Sequence, residues 1–88
     1  MVLFDLAYEI EDYWDGLILA YQTDPNESYF IVPDFAGREN WYNNAVWALG
    51  DHPGWSGSTG GQYEVSSGVL DFLGGEPYVR LAFVFVLQ

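Results

Sequence analysis

The sequence predicts an α+β domain: a mainly antiparallel sheet of five to six strands, open to strong curling, with one helix at about residues 38–49. Three observations carry that expectation. The first ten residues alternate in polarity with period two, residues 41–49 change to a helical period, and residues 78–87 are apolar on both parities.

At the start of the chain Val2, Phe4, Leu6, Tyr8 and Ile10 share one parity, while Asp5, Glu9 and Glu11 share the other with Leu3 and Ala7. That is the pattern of a half-buried strand. Trp14-Asp15-Gly16 follows, and an Asp-Gly step between two strand-like runs signals a hairpin, so residues 17–23 are expected to return antiparallel to the first strand. Asp24-Pro25-Asn26-Glu27 reads as a second turn before a third strand at 28–32, which Pro33 ends. The first third of the chain therefore reads as a three-stranded meander.

Trp41, Ala45, Ala48 and Leu49 fall on one helical face, and Gly50 stands where a glycine ends a helix. Trp47 is placed near that apolar face, in the core. Residues 50–61 are rich in glycine and serine and read as a surface loop, which exposes Trp55. A short strand is expected at 62–66, and 68–73 reads as either a strand, the preferred choice, or a helical turn before Gly74-Gly75. The run 78–87 is expected in the centre of the sheet, covered on both faces, with Arg80 at its rim within reach of a carboxylate.

The 88 residues make one acidic domain, 1–88, with 13 Asp and Glu against two arginines and no lysine, so at least eleven carboxylates have no cationic side chain to pair with inside the chain. With 50% hydrophobic and 19% aromatic residues this is a folding sequence and not an acidic disordered tail. A net charge of −11 repels phosphates and anionic lipid, which argues against direct nucleic acid or membrane binding. The absence of cysteine removes disulfides, thiolate catalysis and cysteine zinc sites. No secretory signal is read at the N-terminus, and a cytoplasmic protein is expected, in the host cell cytoplasm if the chain is phage-encoded.

No catalytic motif emerges. A phosphate-binding loop needs a lysine, and Gly54-Trp55-Ser56-Gly57 lacks the second glycine that a nucleophile elbow requires. His52, the sole histidine, is read as structural, and no calcium-loop spacing accompanies Asp12, Asp15, Asp24 and Glu27. Neither enzyme, metal site nor cofactor is expected.

The row Asp5, Glu9 and Glu11 on one strand face, extended by Asp12 and Asp15, is the informative feature. Such a row imitates the regular charges of a nucleic acid backbone, and Asp24 and Glu27 enlarge it. Trp14, in a turn, and Trp55, in the glycine-rich loop, are the expected aromatic anchors. The expectation is a small inhibitor or immunity-type protein whose partner is a basic nucleic-acid-handling protein: a nuclease, a restriction or CRISPR effector, or a toxin. Two other readings remain open: a carbohydrate-binding module that uses exposed aromatics, and a self-associating structural subunit of a virus particle. A homo-oligomer is compatible with the sequence, as is acidity that serves only solubility.

Overall fold

The computed structural model describes residues 2–34, 39–68 and 70–88. Its strands are β1 (Val2–Leu6), β2 (Gly16–Gln22), β3 (Phe30–Ile31), β4 (Asn44–Val46), β5 (His52–Gly54), β6 (Glu64–Gly68) and β7 (Arg80–Val86), all paired antiparallel. They form three small open sheets, with orders β1-β6, β3-β2-β7 and β4-β5. Single bridges stitch these together: Leu17 pairs with Trp55, Glu9 with Ser58 and Glu39 with Ser67. No helix among the described residues is long and apolar enough to cross a membrane.

The expected helix is not formed. Arg38, where it was to begin, lies outside the described residues; beyond it Asn44–Val46 is a strand and Trp47–Leu49 a single 3-10 turn. Asparagine, tryptophan, tyrosine and valine are weak helix formers, and here long-range pairing wins over the helical period. Asn43 N–H donates to Gly54 O (2.9 Å), and its side chain brackets Ser56, accepting from Ser56 N (2.9 Å) and donating to Ser56 O (3.1 Å). Gly50 does end an element, at φ 69°, but the element is the 3-10 turn. Nor is the sheet strongly curled into closure; the fold is open and antiparallel.

The expected meander is also corrected. β1 pairs with β6 across the whole chain, Val2 opposite Gly68 and Leu6 opposite Glu64, and not with β2. Gly16 is not the turn residue of a hairpin: a Cβ there would stand 2.6 Å from Val46 Cγ2, so the glycine is needed for close approach of β2 to β4. The turn at 24–27 does join β2 to β3, with Ala20 opposite Ile31 and Tyr21 opposite Phe30.

β2, and not the C-terminal strand, is the covered centre. Ile18, Leu19 and Ala20 are all buried, whereas β7 lies at the edge of its sheet with most of its residues exposed. Period cannot separate the two, because both strands are apolar on both parities. What decides is that β2 has neighbours along both edges and β7 has only β2 among the described residues. Arg80 meets Tyr29 and the ring of Tyr78, 6.0 Å from its centroid, in place of the expected carboxylate. The 68–73 stretch takes the helical alternative and not the preferred strand, ending in a 3-10 turn at Asp71–Leu73 before Gly74.

The core is aromatic. Trp55, 1% exposed, touches Trp41 (centroids 5.2 Å), Tyr42 (4.8 Å, edge to face), Phe4 (5.9 Å) and Phe83 (6.3 Å), and its Nε1 donates to Asn40 O (3.1 Å). The expected surface anchor is therefore the centre of the molecule. A glycine- and serine-rich flank signals a loop, but the indole buries far more apolar area than a small core can leave in water.

Tyr42 contributes the core's polar tie: its hydroxyl lies 2.6 Å from Val32 O and 3.2 Å from Leu19 O, and accepts from Leu19 N (3.3 Å). Burial pushes its phenol well above the ordinary tyrosine value, only partly opposed by the bond to Leu19. An unfolded chain ionises this phenol near pH 10 and the folded one resists, so the stability involved is complete below about pH 10 and is lost as pH rises toward the folded value. Tyr42→Phe is expected to cost about 1–3 kcal/mol at neutral pH by stranding buried backbone groups. In urea unfolding followed from pH 7 to 11, the variant should also show a shallower alkaline decline. Tyr8 and Tyr13, shifted in the same direction, leave a residual slope.

Candidate functional site

An acidic and aromatic corner forms where the segment after β1 turns into β2. Asp15 N–H donates to Glu11 O (3.2 Å) and Trp14 N–H reaches Asp12 O (2.9 Å), a compact turn that projects Asp12, Tyr13 and Trp14 together. Ser56, buried beside Trp55, holds this turn from beneath: its Oγ accepts from Tyr13 N (2.8 Å) and donates to Asp15 O (2.7 Å). The 3-10 turn after β4 closes the other side, with Trp47 N–H donating to Tyr13 O (2.7 Å) and Ala48 N–H to Trp14 O (3.1 Å).

These bonds bring Trp14 and Trp47 to 5.8 Å between ring centroids, tilted 55°, with Tyr13 packed edge to face on Trp14 at 5.1 Å. Trp14 is 39% and Trp47 49% exposed, large values for tryptophan. Trp47 was expected in the core; without the helix its ring has no apolar face to join and turns outward against Trp14.

Carboxylates frame the pair. Asp51 accepts a 2.8 Å bond from the Tyr13 hydroxyl, and Asp12 Oδ1 one of 3.1 Å from Asn44 Nδ2. Asp15 Oδ1 accepts from Gln88 N (2.8 Å). The bond to Asp51 is the main reason the Tyr13 phenol is pushed above its ordinary range. Tyr13 and Asp51 themselves sit at φ 71° and φ 66°, left-handed backbone that aspartate tolerates and tyrosine adopts at a cost. The bond between them holds Tyr13 in a geometry against its local preference.

The acids expected to act together are only partly assembled. Asp5, Glu9 and Glu11 keep one exposed parity from β1 to the corner, although regular pairing of β1 stops at Leu6. Glu11, Asp12, Asp15 and Trp14 belong to the corner. Asp24 and Glu27 are at the opposite end of β2, some 20 Å along the strand from Asp15, and do not join it. Trp55 drops out as buried. Tyr13, one of the aromatics the sequence offers as an anchor, joins the corner, as does Trp47, which the helical reading assigns to the core; nothing local shows that Asp51 would meet Tyr13 across 38 positions.

A second feature is a small cavity of about 100 Å³ between Tyr8, Asn40, Asn43, Glu64 and Ser66, floored by Trp41 and Trp55. Asn43 Nδ2 donates to the Tyr8 hydroxyl (2.8 Å), and burial, then the Glu64 charge, raise that phenol. Its polar groups are largely bonded to one another, so it reads as a packing gap beneath the acidic strand.

Tryptophan quenching tests the corner directly. Trp14 and Trp47 are expected to supply the quenchable fluorescence, with Trp41 and Trp55 shielded, and cationic caesium should quench more strongly than anionic iodide because Asp12, Asp15 and Asp51 repel the latter. The double variant Trp14→Phe, Trp47→Phe should lose most of the caesium-sensitive signal. No family model, curated protein or solved structure matches the chain, so its function has to be argued from this corner and the strand leading to it.

Proposed function

We propose that the chain is an acidic binding protein that inhibits a basic, nucleic-acid-handling protein by occupying its phosphate-gripping surface. One observation carries the reading: the exposed carboxylates Asp5, Glu9 and Glu11 lead to Asp12 and the half-buried Asp15, in the turn that carries one ring of an exposed tryptophan pair. Carboxylates alone give fast, salt-sensitive association and little hold. A partly desolvated aromatic pair supplies the hold, and its rings suit arginine in particular, which stacks on indole while its fork meets a carboxylate.

Trp14, Trp47 and Tyr13 are the anchors in this reading; Glu11, Asp12, Asp15 and Asp51 pair with the partner's arginines and lysines, and Asp5 and Glu9 steer. The fold serves the task by keeping the carboxylates outward. Of the 13, none is buried among the described residues. Targets of this chemistry include a nuclease, a restriction or CRISPR effector and a basic toxin.

A sugar-binding reading draws on the same tryptophans. The 55° tilt between them gives no flat platform for a pyranose ring, and the surrounding charge adds nothing to stacking. Salt separates the two readings, since stacking and neutral hydrogen bonds are little screened.

Immobilised protein is to be loaded with host lysate, washed, and eluted first with a double-stranded DNA competitor and then with salt. Capture of a basic nucleic-acid-binding protein that DNA displaces is expected. With that protein purified, Asp5→Asn, Glu9→Gln and Glu11→Gln together should weaken binding at least about tenfold and flatten its salt dependence. Trp14→Ala should weaken it by a similar factor, about 1.4 kcal/mol, with the salt slope kept. A captured protein that DNA fails to displace would remove charge mimicry from the account.

A further inference from the structure

β7 is the one strand whose composition and placement disagree. Residues 81–88 carry no charged side chain in a chain of net charge −11, yet Phe83 is 49%, Phe85 50% and Leu87 65% exposed. Its backbone is half unsatisfied in a way the ladder defines. Leu17 exchanges two 2.8 Å bonds with Trp55, and Leu19 O accepts from Val32 N (2.8 Å), so odd positions of β2 face away from β7. The even positions Gly16, Ile18, Ala20 and Gln22 therefore face β7, opposite Val86, Val84, Ala82 and Arg80. Alternation then turns the N–H and C=O groups of Leu81, Phe83 and Phe85 to the outer edge, which no strand covers among the described residues.

We propose that this edge is self-complementary and that two copies of the chain pair antiparallel through β7, about a two-fold axis at Val84. Outward groups on odd positions require odd-to-odd pairing. The register centred on Val84 satisfies this, setting Phe83 opposite Phe85 of the second copy and Leu81 opposite Leu87. Cross-strand aromatic and apolar pairs of this kind stabilise sheets. At each end Arg80 comes opposite Gln88 of the second copy, whose N–H points the other way, to Asp15 Oδ1, so the cation stands one strand away from a carboxylate and meets no like charge.

The occupant follows from charge. Carboxylates on the other faces repel a second copy, and β7 is the stretch that offers it apolar side chains, open hydrogen bonds and the sheet's cation together. An interface of ordinary size takes about 800 Å² from each partner, a modest share of the 5338 Å² that the chain exposes. A strand-edge contact is at the small end of that scale, so the dimer is expected to depend on concentration. Added salt should strengthen it by screening like charge, the opposite of its effect on a complex with a basic partner.

The chain has no cysteine, which makes a clean test available. Val84 falls in a non-hydrogen-bonded pair with its own symmetry mate, about 4.5 Å between Cα atoms, close enough for a disulfide. Ala82 would be some 13 Å from its mate along the strand. Sedimentation equilibrium of the full chain should show the mass rising from one chain toward two with concentration, more readily in high salt. Val84→Cys should cross-link on mild oxidation and Ala82→Cys should not. Phe85→Lys, and Phe85→Pro, which removes an outward N–H without touching the β2 ladder, should stay monomeric with unchanged circular dichroism. A monomer at every concentration and salt would overturn the proposal. So would a dimer that both Phe85 variants retain, or one in which the two cysteine variants cross-link equally.

Discussion

The junction of Trp55 and Ser56 is the constraint on which the rest of the molecule depends. The Trp55 backbone continues the β3 edge of β2 through Leu17, its ring is the hub of the aromatic core, and the next residue's hydroxyl fixes the turn that carries the acidic corner. Fold and candidate site are thus joined through one peptide unit. Without the indole, Phe4, Trp41, Tyr42 and Phe83 lose their common neighbour. Without the hydroxyl, Tyr13 N and Asp15 O become unpaired beneath Trp14. A core of this kind suits a short chain lacking disulfides, because each aromatic ring buries a large area for one backbone position ordered.

What was readable in the sequence was the part set by local alternation. The first strand, the 24–27 turn, β6 and β7 all lie close to where period and turn residues put them. What was not readable was set by partners far along the chain. Gly16 looks like a hairpin glycine until Val46 is seen beside it, and the helical spacing of Trp41, Ala45 and Ala48 gives way to Asn43 bracketing Ser56. The strands β2 and β7 are equally apolar, so which of them is central depends on which receives Trp55 and β3. The site follows the same division. Asp5, Glu9 and Glu11 share a face because parity is local; Trp47 and Asp51 join Tyr13 and Trp14 only through tertiary contacts.

Exposed tryptophan and strained backbone coincide at one place, and neither is favoured on its own. Trp47 forgoes burial, and Tyr13 and Asp51 occupy left-handed backbone, in a chain with little stability to spare. The compensation is visible in the four short hydrogen bonds from Ser56, Trp47 and Asp51 that converge on Tyr13 and Asp15. A surface selected for solubility alone would need the carboxylates but not this scaffold around them.

The two proposed contacts share a residue. Asp15 belongs to the acidic corner, and through Gln88 it also lies beside the end of β7, where self-pairing brings Arg80 of a second copy. One carboxylate cannot give its full charge to both, so a basic partner at the corner and a second copy at the edge are thermodynamically opposed, each weakening the other by the same factor. Ionic strength then acts as a selector. At low salt the −11 charge drives copies apart and draws a cationic surface in; at high salt the charge is screened and the apolar edge dominates. A chain so depleted of lysine and arginine places Arg80, the arginine among its described residues, at the start of the exposed edge strand, and that placement gives the edge its match in a second copy.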